Sequence, residues 1–373
     1  MKANEIGEWT SGYEAWLAGQ VPFVVKEDLE KKHADMAGSP FVFLRGTYYA
    51  WAKQFPAALP GLVRAPRVTA VGDLHLENFG TWRDAEGRLA WGINDFDEAS
   101  PLPYTNDLVR LATSVALAHD ERLVKTSPEV LAEALLDGYR TCLDGGGAPV
   151  LLGEQRRRLR EYLLRDLLRA LEERARKRKK KKAQEPREPH EVPADCLSAL
   201  ERALPPGTDE ISIQPRVAGV GSLGRPRFLA TGLWNGAPVQ REAKARVTSA
   251  ARWAGGEARP GTADAFAHLL ARAIRSPDPF LHLAGGWVVR RLATDTEKIE
   301  FSAMALPRPL ERELASLMGR ELANVHGATP GSARVILADL GRRSRQWLLE
   351  ATAVMTDLTA AAFKAWKKSQ RRG

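Results

Sequence analysis

The sequence predicts a mixed α+β protein built from about two lobes, and three observations support this prediction. The chain has 373 residues, 44% of them hydrophobic, which is enough material for a large core. Apolar residues in the first sixty positions recur at the spacing of helices. Much further along, short apolar runs are separated by glycine-containing turns, as in an antiparallel sheet.

Three helices are predicted before any strand. Residues 9–17, 26–36 and 48–55 each place apolar residues on one helical face. Arg45 follows the apolar run Phe-Val-Phe-Leu. We interpret it first as a helix-end cation or a buried ion-pair partner, because a basic residue there offsets the helix dipole. Substrate binding is the alternative role for Arg45.

The next segment carries the strongest chemical signal. Residues 71–80 have the sequence VGDLHLENFG, and residues 93–97 have the sequence INDFD. The spacer between them predicts two short strands around an Asp-Ala-Glu-Gly turn. Folding at this turn brings Asn78 and Asp95 almost opposite each other, so that two oxygen ligands converge on one small space.

Phosphoryl transfer from a magnesium nucleotide requires a base for the attacking hydroxyl and hard oxygen ligands for the metal. Asp73 is the candidate base. The candidate metal ligands are Asn78, Asp95 and Asp97. Two other interpretations remain open, since Asp, Asn and Gly also cluster at ordinary turns, and Asp73-x-His75 resembles the opening of a two-metal phosphoesterase site. Such a site needs several further ligands, and the seven histidines of the chain form no matching cluster. We interpret His75 as a hydrogen-bonding brace.

Together, Gly-Asp-Leu-His-x-x-Asn and Asn-Asp-Phe-Asp resemble the catalytic and metal loops of aminoglycoside phosphotransferases and choline kinases, which have the protein-kinase-like fold. With the sequence SPFVFLRG at residues 39–46, they resemble more closely an uncharacterised bacterial family, domain of unknown function 2252, which is placed among kinase-like proteins. The resemblance covers most of the chain, but only these segments are specific. One departure is Val71, because phosphotransferases usually carry histidine at that position.

The resemblance implies a role for each residue of the motif. Asp73 would be the catalytic base, and Asn78 and Asp95 would hold magnesium. Asp97 would be a supporting or second-metal acid. Asp107 is similar to the helix aspartate that braces the catalytic loop in those enzymes.

A nucleotide-clamping β lobe is predicted downstream of these loops. Residues 211–218 predict a strand, a glycine loop follows at 219–224, and residues 227–234 predict a second strand. Asn-Gly at 235–236 is a strong hairpin signal, because both central positions of the turn need positive φ; a third strand is predicted over 238–245. A dinucleotide-binding fold would place a helix directly after the glycines. A hairpin there, with a basic residue on its second strand, is instead the kinase arrangement.

The glycine loop supplies candidate phosphate contacts, since glycines let backbone N–H groups approach phosphate oxygens. These candidates are Gly219, Gly221, Ser222 and Gly224. The third strand should add a cation, Arg241 or Lys244, and the two face opposite sides of a regular strand. Arg241 shares a face with Val239 and Ala243, which favours it slightly, whereas the chemistry of the kinase-like fold favours a lysine. Glu257 is the candidate helix partner of that cation.

Later segments complete the predicted architecture. Residues 263–274 predict a helix, residues 286–292 a strand, and residues 314–326 a helix resembling the one that precedes the catalytic loop in phosphotransferases. Because that helix here follows the loop, we interpret the fold as protein-kinase-like, two-lobed and circularly permuted. The predicted units are a catalytic-lobe segment over 1–150, a helical segment with a basic run and a Pro-rich linker over 151–205, a small β lobe over 206–305, and closing helices over 306–373.

The net charge of +9 is concentrated in one place. Eight lysines and arginines lie within residues 174–182, and without them the formal charge is about +1. A solvated helix end leading into a linker is the main interpretation. Binding of nucleic acid or an acidic membrane surface through 174–182 is the alternative. No run reaches the length of a membrane span, no signal region is expected, and two cysteines give neither a disulfide framework nor zinc spacing, so a cytoplasmic location is expected.

The sequence therefore predicts an ATP- and Mg²⁺-dependent phosphotransferase that moves the γ-phosphoryl group to a hydroxyl or amine of an acceptor. The sequence does not identify that acceptor. Three alternatives remain: a metallo-phosphoesterase, a nucleotidyl (AMP) transferase on the same fold, and a non-catalytic nucleotide-binding module.

Overall fold

The structure is a computed structural model that describes residues 5–153, 156, 158–162, 190–256, 264–292 and 306–370. The helices are α1 (Glu5–Ala18), α2 (Lys26–Met36), α3 (Pro40–Gly46), α4 (Tyr48–Ala58), α5 (Pro60–Val63), α6 (Tyr104–Asp120), α7 (Pro128–Asp144), α8 (Ala194–Ala203), α9 (Ala250–Ala254), α10 (Ala265–Arg272), α11 (Arg308–His326), α12 (Ser332–Leu340) and α13 (Trp347–Ser369). The strands are β1 (Arg67–Ala70), β2 (Phe79–Arg83), β3 (Leu89–Ile93), β4 (Ser100–Pro103), β5 (Asp209–Pro215), β6 (Arg227–Trp234), β7 (Ala237–Ala245), β8 (His282–Ala284) and β9 (Trp287–Arg291). The mixed α+β class predicted from the sequence is confirmed.

The N-terminal region is helical, as predicted. α2 has the predicted bounds, and α1 and α4 contain the predicted segments 9–17 and 48–55. The apolar run before Arg45 forms α3. At its N-cap, the side chain of Ser39 accepts a hydrogen bond of 3.3 Å from the backbone N–H of Val42, a common stabilisation of a helix start. Arg45 lies in the last turn of α3, the helix-end position that the sequence indicated.

The spacer after residues 71–80, the predicted catalytic segment, forms the predicted hairpin. β2 and β3 are antiparallel, with Phe79 opposite Ile93 and Arg83 opposite Leu89. The structure adds a second antiparallel pair, β1 with β4, which the sequence did not indicate. β4 reads Ser-Pro-Leu-Pro, and prolines hide a strand from pattern analysis because they cannot donate to the ladder. The two pairs hold the catalytic segment from both ends.

The predicted β lobe is a five-stranded antiparallel sheet with the strand order β5-β6-β7-β9-β8. The Asn-Gly hairpin turn is confirmed: Asn235 has φ 50° and Gly236 has φ 75°. One face of the sheet packs against α8 through a small apolar core that includes Leu200, Ala243 and Trp287. The other face turns toward the catalytic segment.

The larger core joins the remaining helices. α7 and α11 approach closely at two glycines, since a Cβ on Gly138 would lie 2.0 Å from the carbonyl oxygen of Ser316 and one on Gly319 would lie 1.9 Å from that of Leu135. α11 contains the helix predicted over 314–326. Among the described helices, none combines the length and apolar character needed to cross a membrane.

Candidate active site

The catalytic segment is anchored by Asp107, in the first turn of α6. Its carboxylate is fully buried and accepts hydrogen bonds from the backbone N–H groups of Val71 (2.7 Å) and Gly72 (3.0 Å). His326, at the end of α11, contacts the same carboxylate at 3.1 Å. Gly72 has φ 82°, and a Cβ there would lie 2.3 Å from the carbonyl oxygen of Glu98, so the turn requires glycine. Asp107 thus makes the contacts expected of a residue that braces the loop.

Asp73 is held in place by an arginine that the sequence analysis missed. Arg110 donates to Asp73 Oδ1 through Nε at 2.9 Å and through Nη2 at 2.5 Å. The guanidinium is fully buried, lies 5.0 Å from the ring centres of Tyr48 and Trp51, and also bonds the carbonyl oxygen of Leu44. One carboxylate oxygen of Asp73 is therefore fixed, which orients the other. The available signal was helical spacing, because Arg110 lies three residues after Asp107 on the same helix face.

Asn78 and Asp95 meet as predicted. The backbone N–H of Asn94 donates to the backbone carbonyl oxygen of Asn78 at 3.1 Å. The side-chain amide of Asn78 donates to the backbone carbonyl oxygens of Asp73 (3.0 Å) and Asp95 (3.3 Å). These bonds fix which end of the amide is the oxygen. Asn78 Oδ1 is buried and has no hydrogen-bond partner within the described residues. An amide acceptor in that state fits a cation, because an unmet buried acceptor is costly.

Lys244 connects the sheet to Asp95 and Asp97, the two acids of the segment INDFD. Its Nζ lies 3.3 Å from either carboxylate oxygen of Asp95 and 2.5 Å from Asp97 Oδ2. Burial and the neighbouring Asp95 raise the pKa of Asp97, and the cations Lys244 and Arg225 oppose that rise. The other oxygen of Asp97, Oδ1, is buried without a hydrogen-bond partner in the part of the chain that the structure describes.

Arg241 lies on the opposite face of β7, which corrects the slight preference that the sequence analysis gave it. Its Nε donates to the carbonyl oxygen of Ala203 at 2.8 Å, and its guanidinium stacks 5.1 Å from the ring centre of Phe280. The apolar face of β7 was expected to look toward the nucleotide. It instead packs on α8, because the sheet buries its apolar face in its own small core. Lys244 faces the cleft between the sheet and residues 71–98.

A second arginine that the sequence did not reveal, Arg225, ties the glycine loop to Asp97 and Glu98. It donates through Nη1 to Asp97 at 3.0 Å and through Nη2 to Glu98 at 2.9 Å, and it is almost fully buried. Glu98 also accepts a hydrogen bond of 2.6 Å from the backbone N–H of Ala250, and burial raises its pKa. The only local signal was position, since Arg225 directly follows Gly224.

The glycine loop lies directly over Asp73. A Cβ on Gly221 would be 3.5 Å from Asp73 Oδ2 and 3.0 Å from the carbonyl oxygen of Arg45. Arg45 forms a 2.6 Å ion pair with Glu77. The loop and the catalytic segment enclose a cavity of about 50 Å³, room for an ion or a few waters. Its lining consists of Arg45, Val71, Asp73, His75, Asn78, Asp95, Asp97, Glu98, Gly219, Val220, Gly221, Ser222 and Arg225.

The oxygen donors of this cavity fit Mg²⁺. No group of three or more His, Cys, Asp or Glu side chains among the described residues forms a ready metal cage. Magnesium does not require one, since it binds through one or two carboxylates, substrate phosphates and water. Asp95 and the unpartnered oxygens of Asn78 and Asp97 are hard donors of that kind.

The remaining predicted residues are distributed as follows. His75 is buried and lines the cavity, and so do Gly219, Gly221 and Ser222. Gly224 is not part of the lining; its carbonyl oxygen accepts a hydrogen bond of 3.0 Å from the backbone N–H of Val25. Glu257 and the basic run 174–182 lie outside the described residues.

Residues 24–201 match the model of a family described as an uncharacterized protein conserved in bacteria, DUF2252. No curated protein and no solved structure matches the chain. The matched span contains the catalytic segment and Asp107 and ends before the glycine loop.

Proposed function

We propose that the protein is an ATP- and Mg²⁺-dependent transferase that moves a phosphorus-containing group of the nucleotide to a hydroxyl or amine of an acceptor. The observation that carries the proposal is the amide oxygen of Asn78, which is buried without a partner beside Asp95 while Lys244 and the glycine loop approach from the sheet. A base, two metal ligands and a phosphate loop on one cavity, with a cation that contacts Asp95 from the adjoining sheet, are the parts that phosphoryl transfer uses.

Asp73 is the proposed base. Arg110 holds Oδ1, so Oδ2 is the oxygen that accepts the proton of the acceptor hydroxyl or amine as that atom attacks phosphorus. The backbone brace from Asp107 fixes the loop that carries Asp73. Alignment of this kind supplies a large part of the rate in such reactions.

Asn78 and Asp95 are the residues that would hold Mg²⁺, with Asp97 as an auxiliary acid. When bound, the ion neutralises phosphate charge and orients the phosphates. Asp97 is less available than Asp95, because Lys244 and Arg225 both bind its Oδ2. We therefore assign the primary metal role to the pair Asn78 and Asp95.

The glycine loop and Lys244 are the proposed phosphate contacts. In kinases a glycine-rich loop covers the phosphates and a lysine on the third strand pairs with them, and Lys244 lies on the third strand of the sheet in chain order. A nucleotide is larger than the present cavity, so it enters only when the loop moves away from Asp73.

A circularly permuted kinase-like fold accounts for the chain order. The glycine loop follows the catalytic segment in sequence yet lies over Asp73 in space. α11, which resembles the helix that normally precedes the catalytic loop, ends at His326 against Asp107. Both contacts are those that permutation requires. A two-metal phosphoesterase is less well supported, since it needs a larger ligand set than the oxygen donors found at this site.

The sequence-based form of the proposal is γ-phosphoryl transfer. Transfer of AMP is the second candidate, and one observation favours it: Arg227 and Arg290 share the sheet face of Lys244, where they are positioned to bind the distal phosphates. Both candidates use Asp73, Asn78 and Asp95 in the same roles.

The test is incubation with γ-labelled or α-labelled ATP and Mg²⁺, with label followed on the protein, in released phosphate and in released pyrophosphate. Asp73→Asn should lower turnover by roughly 10²–10⁴-fold while nucleotide binding remains. Asp95→Asn should abolish the Mg²⁺ dependence of binding. Asp137→Asn, an exposed acid on α7, is the matched control. Failure of the wild type to bind nucleotide with Mg²⁺ would remove the proposal, and binding without turnover would identify a non-catalytic nucleotide-binding module.

A further inference from the structure

The cleft-facing side of the five-stranded sheet is charged. Side chains alternate between the two faces of a strand, so Lys244 and Glu242 on β7 share one face. The register places Arg227 of β6 opposite Lys244 and Arg290 of β9 opposite Glu242. Arg216, just after β5, joins them, since its backbone N–H donates to the carbonyl oxygen of Arg227.

Three guanidinium groups converge on one buried carboxylate at this face. Glu242 Oε1 accepts from Arg227 Nη1 and from Arg290 Nε, both at 2.8 Å, and Glu242 Oε2 lies 2.9 Å from Arg216 Nη1. Burial alone would raise the pKa of Glu242, but the three arginines hold it well below its usual range. The four side chains carry a net formal charge of +2.

The opposite face of the same strands is apolar. Ala230, Ala243 and Val289 are fully buried against α8. The small core therefore lies on the side of the sheet opposite the charges, and the charged side contributes Val288 to the larger core. Arg227 is buried, whereas 30% of the Arg216 side chain and 31% of the Arg290 side chain are exposed. A partly accessible cluster with more cations than carboxylates is suited to an anionic ligand.

We propose that Arg290 and Arg227, with Lys244, form an anion subsite that binds the phosphate chain of the donor. This inference rests on the proposed function, because it concerns the donor of that same site. Arginine suits the role, since its planar fork binds phosphate through two parallel hydrogen bonds.

The subsite adjoins the metal site. A second, smaller cavity is lined by Arg290, Glu242 and Lys244 on the sheet, together with the apolar side chains of Phe266, Leu281 and Val288. Asp95 and Asp97 line both cavities. Arg227 extends the subsite to the glycine loop, because its Nη2 donates to Ser222 Oγ at 2.6 Å. A phosphate chain can therefore pass from the metal ligands to Arg290 along one continuous wall.

This placement sets the direction of the donor. Distal phosphates on the arginines leave the phosphorus nearest the nucleoside beside Asp73. The acceptor oxygen or nitrogen then forms a bond to the α-phosphorus, the bond from that phosphorus to the bridging oxygen breaks, and pyrophosphate leaves toward the arginines. The acceptor proton passes to Asp73. The products are an AMP-modified acceptor and pyrophosphate, so the subsite favours the second candidate function.

Calorimetric binding without Mg²⁺ tests the subsite apart from the metal ligands. We expect sodium tripolyphosphate to bind alone, ATP and GTP to bind with similar affinity, and adenosine not to bind. Arg290→Met should weaken tripolyphosphate and ATP binding by about tenfold or more, the effect of one charge-assisted contact. Arg291→Met is the matched control, because Arg291 is the next residue on β9 and stacks on Phe280 at the other face.

The results separate the two proposals. Tripolyphosphate binding that weakens in Arg290→Met but not in Arg291→Met or Asp95→Asn supports the subsite. If the wild type does not bind tripolyphosphate, or binds adenosine as tightly as ATP, the subsite is overturned. This measurement uses the wild type alone, so it does not depend on whether a variant folds. Mg²⁺-dependent transfer that fails in Asp95→Asn decides the proposed function separately.

Discussion

The two walls of the cleft present groups of opposite charge. The loop wall, residues 71–98, presents oxygen atoms, and two of them, Asn78 Oδ1 and Asp97 Oδ1, have no hydrogen-bond partner among the described residues. The sheet wall, made of Arg216, Arg227, Glu242, Lys244 and Arg290, presents guanidinium groups that share one carboxylate. Lys244 joins the walls through Asp95 and Asp97.

The difference supports the ligands proposed for each wall. Unpartnered oxygens suit a cation and surplus guanidinium groups suit an anion, so a magnesium polyphosphate complements both walls together. Without such a ligand, the walls neutralise each other through the Lys244 contacts. Changes confined to one wall should therefore separate metal binding, anion binding and stability.

The largest expected effect comes from removing the shared carboxylate of the sheet wall. Glu242→Gln leaves three arginines around a neutral group and should lower the free energy of unfolding by about 3–5 kcal/mol. Denaturant unfolding measures it, with Gln240→Ala on the same strand as the control. Tripolyphosphate should restore part of the loss by replacing the missing negative charge; a variant as stable as the wild type would show that the cluster holds no excess charge.

The next test sets Lys244 against Arg241, which face opposite sides of β7. Lys244→Met should weaken ATP binding or turnover by roughly a hundredfold, about 2.7 kcal/mol, because a cation that neutralises phosphate charge is lost. Arg241→Met should affect stability through its contacts with Ala203 and Phe280, not nucleotide binding. Equal losses of binding in both variants would contradict the assignment of the faces.

The smallest expected effect concerns Lys32, which stands behind the loop wall. It is buried, and its ammonium lies 5.6 Å from the ring centres of Tyr13 and Tyr49. Burial, and secondarily Arg225, lowers its pKa from 10.5 to about 8. The unfolded chain therefore holds more protons between about pH 8 and pH 10, so stability should rise with pH there, by roughly 2 kcal/mol.

The difference in the free energy of unfolding between wild type and Lys32→Met should follow this rise across the range, because the titrating groups that both chains share cancel in the difference. Above pH 10 the trend should reverse. Burial raises the pKa of Tyr13 to about 12 and of Tyr49 still further, so these phenols lose protons first in the unfolded chain. An identical pH profile in Lys32→Met would show that another group is responsible.

Much of the local structure was predictable because it depends on neighbouring residues. The hairpin between Phe79 and Ile93 follows from a turn sequence between apolar runs, and the turn at Asn235 follows from the need for positive φ. The meeting of Asn78 and Asp95 follows from that first hairpin. The place of Arg45 at the end of α3 follows from the apolar run that precedes it in the sequence.

The partners of these residues were not predictable in the same way. Arg110 holds Asp73 across a helix-to-loop contact, and Arg225 reaches Asp97 from a distant segment. The sequence showed the apolar alternation of β7 but not which face would be covered. The apolar face of β7, which carries Arg241, was expected to look inward. α8 covers that face instead, and Lys244 lies on the face toward Asp95 and Asp97.

The sequence by itself determined the residue types and their short-range geometry: an aspartate, an asparagine and an acid pair joined by one hairpin, and a glycine loop between two strands. Short-range spacing fixes such features because turns and strand alternation depend on a few adjacent residues. The tertiary structure decided that the glycine loop lies over Asp73 and that three arginines surround Glu242. Those contacts join segments far apart in sequence, and they form only when the packing of each sheet face is settled.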